Sequence, residues 1–252
     1  MFPTVSLSFG AACQIGRKPP VAHVLMIISA ADTLILADST GQPTGYWAEE
    51  VAASHEALVQ AGLTVELATP SGKRPTVDGL SLSEAGGVGP AESERFKRYL
   101  AQISKDLESP LSVAEVDLST FDAIYLPGGH APMADLAEDH DLARLLTQAQ
   151  RDGKPVAALC HGVSALLSTR QQDPWPYAGL RMTGFTDAEE EQGGYGDRIP
   201  FSVEAELREA GGNFEAGDPW TDKVVVDGTL ITGQNPQSSL STAKALITAL
   251  TS

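Results

Sequence analysis

Basic residues are scarce in this chain: 17 Lys and Arg stand against 33 Asp and Glu, a formal charge of −16 over 252 residues. Long-range electrostatics at that balance repel phosphate backbones, so no nucleic acid is expected as a partner. Cysteine is scarcer still, with Cys13 and Cys160 alone. Two thiols build no disulfide framework, and a reducing, cytoplasmic compartment is the natural expectation. No apolar stretch approaches the ~18 residues that cross a bilayer, so the chain is expected to be soluble, with no membrane contact. The five histidines, His23, His55, His130, His140 and His161, make no His-x-His or His-x-x-Glu-His pattern, and there is no Cys-x-x-Cys. Neither a metal nor a cofactor is therefore expected. Internal repeats and low-complexity tracts are also missing.

What is present is ordinary globular usage, 42% hydrophobic and 20% charged, in a length that suits one domain with a full core. Residues 1–20 carry Arg17-Lys18 on the wrong side for a secretory signal and too short an apolar core. They are expected to be a poorly ordered extension, with the folded domain spanning 21–252. From Ala22 onward strands and helices alternate. Val24 to Ala30, Thr64 to Thr69, Phe121 to Leu126 and the run into Cys160 read as strands; helices are expected after Thr44 as a cap, near Ser93 to Ile103, from Asp139 to Arg151 and from Ser238 to Leu250. Leu180 to Phe185 reads as a short strand, and Lys223 to Thr232 as a hairpin on an Asp-Gly turn. The β-α-β order predicts a flavodoxin-like α/β domain: a mostly parallel sheet sandwiched by helices, with a C-terminal hairpin. The irregular stretch from Lys73 to Leu118 is placed to shape a pocket rim.

The apolar run Val156-Ala157-Ala158-Leu159 ends abruptly at Cys160-His161-Gly162. A strand that reverses into a helix raises the turn side chain at the carboxyl end of the sheet, above the helix amides. A thiol there is a candidate nucleophile, and the helix N-terminus with His161 beside it is expected to bring its pKa below ~7; a small buried hydrophobe is the alternative use of such a cysteine. Gly128 and Gly129 close another strand of the sheet, where glycine lets the backbone aim an amide at a ligand. The amides of Gly129 and His161 together are candidates for an oxyanion hole, and Gly128, His130 and Trp47 for the pocket. Glu50 lies in the first turns of a helix and Glu49 about 100° around it, so at most one is expected to face a pocket. If Glu50 is buried beside Cys160, it should keep its proton and donate to the sulfur. The run Glu189-Glu190-Glu191 offers acids to orient His161, although such runs are usually solvated.

Taken in order, Thr44-Gly45-Tyr46-Trp47-Ala48-Glu49-Glu50, Leu126 to His130, Ala158 to Gly162, Thr183 to Glu190 and Leu230 to Pro236 resemble the ThiJ/PfpI superfamily, also called class I glutamine amidotransferase-like proteins. The similarity is to its heat-shock chaperone and glyoxalase III branch. It implies a nucleophile at Cys160, its adjacent histidine at His161, an elbow-supporting glutamate at Glu50 and a His-orienting acid at Glu190. It also implies oxyanion-hole amides at Gly129 and His161. Ser54 and Val163 stand where that family often has proline, which puts substrate fit in question. Amidotransferases proper take a histidine from a late His-x-Glu element, and this chain has no histidine beyond His161. The resemblance thus implies a cofactor-independent, cysteine-dependent lyase that converts methylglyoxal or another 2-oxoaldehyde to a 2-hydroxy acid, often as a homodimer in this superfamily. A holdase chaperone or cysteine oxidation sensor is the alternative, and a hydratase or tailoring enzyme on the same scaffold a further one.

Overall fold

The computed structural model describes residues 21–252; the expected extension and Cys13 lie outside the described residues. In chain order the elements are β1 (His23–Ile27), β2 (Thr33–Ile35), β3 (Gly41–Pro43), α1 (Ala48–Gln60), β4 (Thr64–Thr69), α2 (Pro90–Gln102), α3 (Ser104–Glu108), β5 (Leu111–Ser112), β6 (Ala123–Leu126), α4 (His140–Asp152), β7 (Val156–Leu159), β8 (Arg181–Met182), α5 (Asp187–Gln192), α6 (Val203–Glu209), β9 (Asn213–Phe214), β10 (Val224–Asp227), β11 (Leu230–Gly233) and α7 (Ser239–Thr251). The main sheet runs β10-β11-β7-β6-β1-β4-β5, with β10 alone antiparallel. Its five long parallel strands, β4-β1-β6-β7-β11, follow the flavodoxin order, and the chain reverses its direction of travel across the sheet between β1 and β6. Ligands of open α/β sheets bind outside the strand carboxyl ends at that switch point.

The strands are apolar without interruption because both faces are covered. On β1, Leu25 and Ile27 join a core with α4 (Leu142, Leu145, Leu146) and α6 (Val203, Leu207). Val24 and Met26 join the opposite core, with α1 (Val51, Leu58), α2 (Phe96, Leu100) and α7 (Ala243, Leu246). Strands β6 and β7 repeat the alternation: Ile124, Leu126, Val156 and Ala158 on one side, Ala123, Tyr125, Ala157 and Leu159 on the other. Each such Leu or Ile contributes roughly 1.5–3 kcal/mol by leaving water. Cutting Leu145 to alanine at the α4 interface should therefore cost on the order of 2–5 kcal/mol.

Two local expectations are corrected. Thr44 does not cap α1; its Oγ1 donates to Asp78 Oδ2 at 3.3 Å, while Trp47 holds the N-cap position with no side-chain bond. Before it lies the β2–β3 hairpin, too short and too polar to show alternation. The strand expected over Leu180 to Phe185 is only β8, because Thr183 turns its amide to the Thr232 side chain instead of to a neighbouring strand.

Candidate active site

Cys160 follows β7 directly and begins a run of 3-10 turns, Cys160–Thr169. Its φ is +56°, a left-handed conformation that a residue with a Cβ adopts only under strain, on the order of 1–2 kcal/mol. The loop after β6 grips this turn. A Cβ on Gly128 would lie 2.8 Å from the Gly162 nitrogen and 2.9 Å from that of His161; a Cβ on Gly162 would lie 2.4 Å from the Leu126 oxygen. Glycine on both surfaces lets the two loops interlock, which holds the cysteine where φ is unfavourable.

Glu50, in the first turn of α1, is fully buried below the elbow, and its Oε2 accepts from the Gly128 amide at 2.6 Å. Burial lifts its carboxyl to about 8, against the bonds from Gly128 and Cys160 that favour the charged form. At neutral pH the proton therefore sits on Glu50. Its Oε1 is buried without a partner atom in ordinary hydrogen-bond geometry, and the Cys160 thiol is the polar group it couples to. The thiol itself is pushed up, first by burial and then by Glu50, while the His161 amide acts in the opposite sense. A depressed thiol pKa was expected from the helix N-terminus; at 3% exposure, desolvation outweighs those amides. Ionisation of this cysteine thus needs a base.

His161 is the side chain placed to act as one. Its Nδ1 lies 3.3 Å from Cys160 Sγ and its Nε2 lies 2.5 Å from Glu190 Oε1. Burial, and then the neighbouring His130, hold the imidazole below its usual range against the pull of Glu190. Burial would raise Glu190, but His161 and His130 outweigh it and bring the carboxyl down to about 2. A neutral imidazole beside a carboxylate fixes the tautomer from the network: Nε2–H donates to Glu190, and Nδ1 presents a lone pair to the thiol. Phe185 stacks on the His161 ring at 4.4 Å between centroids, and His130 packs on its other neighbours, 4.1 Å from His161 and 4.3 Å from Tyr195.

Glu190 is aimed by α5. Thr186 caps this helix in a reciprocal box with Glu189, whose Oε1 also accepts from the Asn235 side chain at 2.8 Å and the Trp220 amide at 2.9 Å. The acidic run is therefore not a solvated face: Glu189 and Glu190 are buried, and only Glu191 is exposed. The Thr-x-x-Glu spacing was the sequence signal for this.

A cavity of about 440 Å³ opens over the cysteine. Gly129, His130 and Trp47 line it along with Cys160, His161 and Glu190, whereas Gly128 lies beneath, bonded to Glu50. The irregular segment supplies one rim through Leu80 and residues 85–88, as expected. Three aromatic walls that sequence reading did not single out, Phe185, Tyr195 and Trp220, complete it. Glu49 also lines the cavity, so both adjacent glutamates serve the site: Glu50 from below, Glu49 from the rim. Ser54 and Val163 do not reach it. Ser54 Oγ accepts from Tyr125 at 2.6 Å within the core, and Val163 is fully buried. Although the sequence has no metal-ligand spacing, the fold brings one ligand atom each of His130, His161 and Glu190 within 4.8 Å of one another. Among the described residues no helix is long and apolar enough to cross a membrane.

The DJ-1/PfpI family description matches residues 44–249. The glutamine amidotransferase-like class 1 domain-containing protein 1 of Bos taurus is 30% identical over 191 residues, covering 75% of this chain and 82% of its own. Glyoxalase 3 of Candida albicans is 26% identical over 237 residues, with 91% and 98% covered. The X-ray structure of the Francisella tularensis Rapid Encystment Protein superposes with a TM-score of 0.81 at 25% identity, covering 92% of this chain and all of that one.

Proposed function

The chain belongs to the DJ-1/PfpI family, and from that premise we propose that it is a glutathione-independent, glyoxalase III-like enzyme acting on methylglyoxal or a related 2-oxoaldehyde. The observation that carries this reading is the line from Cys160 Sγ through both nitrogens of His161 to Glu190, at 3.3 and 2.5 Å, on the floor of a cavity. A relative named glyoxalase 3, alignable over nearly its whole length, supports the same assignment.

In this reading His161 Nδ1 takes the thiol proton as sulfur adds to the aldehyde carbon, and the carbonyl π pair becomes an alkoxide. The amides of His161 and Gly129 stabilise that oxygen until it is protonated, leaving a hemithioacetal. Nδ1 then removes the hydrogen from the former aldehyde carbon as a proton, giving an enediolate, and returns it to the neighbouring carbon while the hemithioacetal hydroxyl proton passes to the former ketone oxygen. The product is a 2-hydroxy thioester of Cys160. One carbon is oxidised, the next is reduced, and no external electron carrier takes part. Water cleaves the thioester to release lactate and the free thiol. Glu190 stays anionic and keeps the imidazole in one tautomer; Glu50, holding its proton, offers an O–H to the sulfur. Each step uses residues of the chain itself, so neither metal nor cofactor enters the proposal. A reducing, cytoplasmic setting belongs to the same reading, since the mechanism requires a free thiol.

An oxidation sensor would use Cys160 and Glu50 but has no need of a proton shuttle, and the buried His161–Glu190 pair favours turnover over sensing. The test is methylglyoxal consumption without glutathione, with chiral analysis of the lactate: a single enantiomer is expected. No turnover by protein whose Cys160 is fully alkylatable would sink the enzyme reading.

A further inference from the structure

The cavity is larger and more one-sided in charge than a small oxoaldehyde demands. Methylglyoxal has five non-hydrogen atoms; at the ~30 Å³ that a water takes in the liquid, about 440 Å³ holds roughly three times as many. Among the described residues no Lys or Arg lines the space, and the anion-stabilising amides in it, those of Gly129 and His161, are taken in the proposed mechanism by the reacting oxygen and not by a substituent. Of its two carboxylates, Glu190 is committed to His161 and His130. Glu49 is not: its carboxyl belongs to no ion pair among the described residues, and it stands on the same rim as Trp47. Its charged neighbours are Glu92 and Arg95 of α2, opposite in sign, and neither lines the cavity. Trp47, Tyr195 and Trp220 add aromatic surface, which attracts cations through the negative ring faces. Trp220 is set there deliberately, with φ of +59°, its amide on Glu189 and its indole N–H on Gln192 Oε1 at 2.8 Å.

We propose that Glu49 is a specificity residue and that this cavity selects electrophiles whose substituent is cationic, or bulky and neutral, and rejects anionic ones. The inference rests on the oxoaldehyde reading for its substrate class, 2-oxoaldehydes with an ammonium-bearing or aromatic substituent. The charge preference itself belongs to the cavity and is measurable on the thiol alone.

Two methanethiosulfonates, one carrying a trimethylammonium-ethyl and the other a sulfonato-ethyl group, test it. Each transfers its alkylthio group to the Cys160 thiolate: the protein–sulfur disulfide bond forms, the S–S bond of the reagent breaks, and methanesulfinate leaves with the electron pair. The rate ratio of cationic to anionic reagent, divided by the same ratio for mercaptoethanol, cancels the thiol's ionisation and the reagents' intrinsic reactivity. Burial lifts Glu49 to about 7, so the measurement belongs at about pH 8.5, where the carboxylate is formed. The expected normalised preference is roughly tenfold for the cation, falling several-fold in Glu49→Gln and inverting in Glu49→Lys. A preference near one in the native protein, or one that Glu49→Gln leaves intact, overturns the proposal. In a second arm, kcat/KM is compared for oxoaldehydes with trimethylammonium and carboxylate substituents. Failure of every oxoaldehyde in that arm, with the reagent preference intact, refutes the enzymatic reading while the cavity's selectivity stands.

Discussion

His161 Nε2 lies 2.5 Å from Glu190 Oε1, and this contact decides which nitrogen of the imidazole faces the thiol. Removing the acid leaves a buried ring free to place its proton on either nitrogen. Glu190→Ala should lower kcat by about 10² or more, the range general acid–base groups supply, with KM little altered. Alkylation of Cys160 by iodoacetamide should slow far less, since the elbow and the imidazole of His161 remain beside the thiol. Parallel losses in turnover and alkylation would show that Glu190 supports the fold of the site and not the shuttle.

Cys160→Ser should abolish turnover, because a hydroxyl in the same buried position is far harder to ionise than a thiol and His161 cannot remove its proton at neutral pH. The replacement preserves shape, so the thermal midpoint should stay within a few degrees of the native one. Native-like rates in the serine variant would remove the nucleophile assignment.

The carboxyl of Glu50 predicts how stability changes with pH. Its folded pKa of about 8 lies above the ordinary 4.5, so the native state holds a proton that the unfolded chain releases. That contribution is fully present below about 4.5 and is lost as pH rises towards and through about 8, on the order of 5 kcal/mol if the group acted alone. Glu50→Gln keeps an N–H donor at this place and has nothing to titrate. Urea unfolding between these pH values should therefore show a falling limb in the native protein that is markedly flatter in the variant. Identical slopes would mean that Glu50 is ionised in the fold.

Much of this site was legible because its chemistry sits at strand ends. An apolar run that breaks at Cys160 and another that breaks at Gly128-Gly129 mark two neighbouring strands of one parallel sheet, and β6 and β7 are indeed paired. His161 was read from its place beside Cys160, but the choice of Glu190 came from the family pattern; the residues alone left Glu189, Glu190 and Glu191 equivalent. Their difference is tertiary: Glu189 is consumed by Thr186, Asn235 and Trp220, which turns Glu190 to the histidine. The thiol's environment was misjudged for a related reason, since helix amides are visible in a sequence and desolvation is not. Helical geometry allowed at most one of Glu49 and Glu50 to face a pocket, yet the cavity walled by residues 85–88 is wide enough to include Glu49 on its rim while Glu50 supports the elbow from below.

Gly128 offers a test of how the elbow is held. A methyl group there meets backbone nitrogens of His161 and Gly162 and, at 3.0 Å, Glu50 Oε2, a side-chain end held in place by full burial and by its bond from the Gly128 amide. Gly128→Ala should destabilise the protein by roughly 1–3 kcal/mol and shift the elbow backbone, with loss of turnover well beyond the loss of folded protein. A variant with native stability and native kcat would show that the two loops are not interlocked as described.

Zinc provides the last test, because the residues that hold and orient the proton shuttle could also hold a metal. Zinc takes histidine nitrogen and carboxylate oxygen at ~2.0–2.2 Å, which sets ligand atoms in a tetrahedron more than ~3 Å apart. His130, His161 and Glu190 come close to that arrangement, but His161 Nε2 and Glu190 Oε1 are already at 2.5 Å and must separate to admit an ion. Occupation would break the contact that fixes the imidazole tautomer. On the proposed mechanism, turnover should therefore survive exhaustive chelation, be lost on addition of zinc, and return when the chelator is added back. His130→Ala should weaken zinc inhibition at least tenfold, because one ligand is gone while the His161–Glu190 contact remains. Activity that vanishes with the chelator and returns with zinc would overturn the metal-free mechanism and make this triad a metal centre.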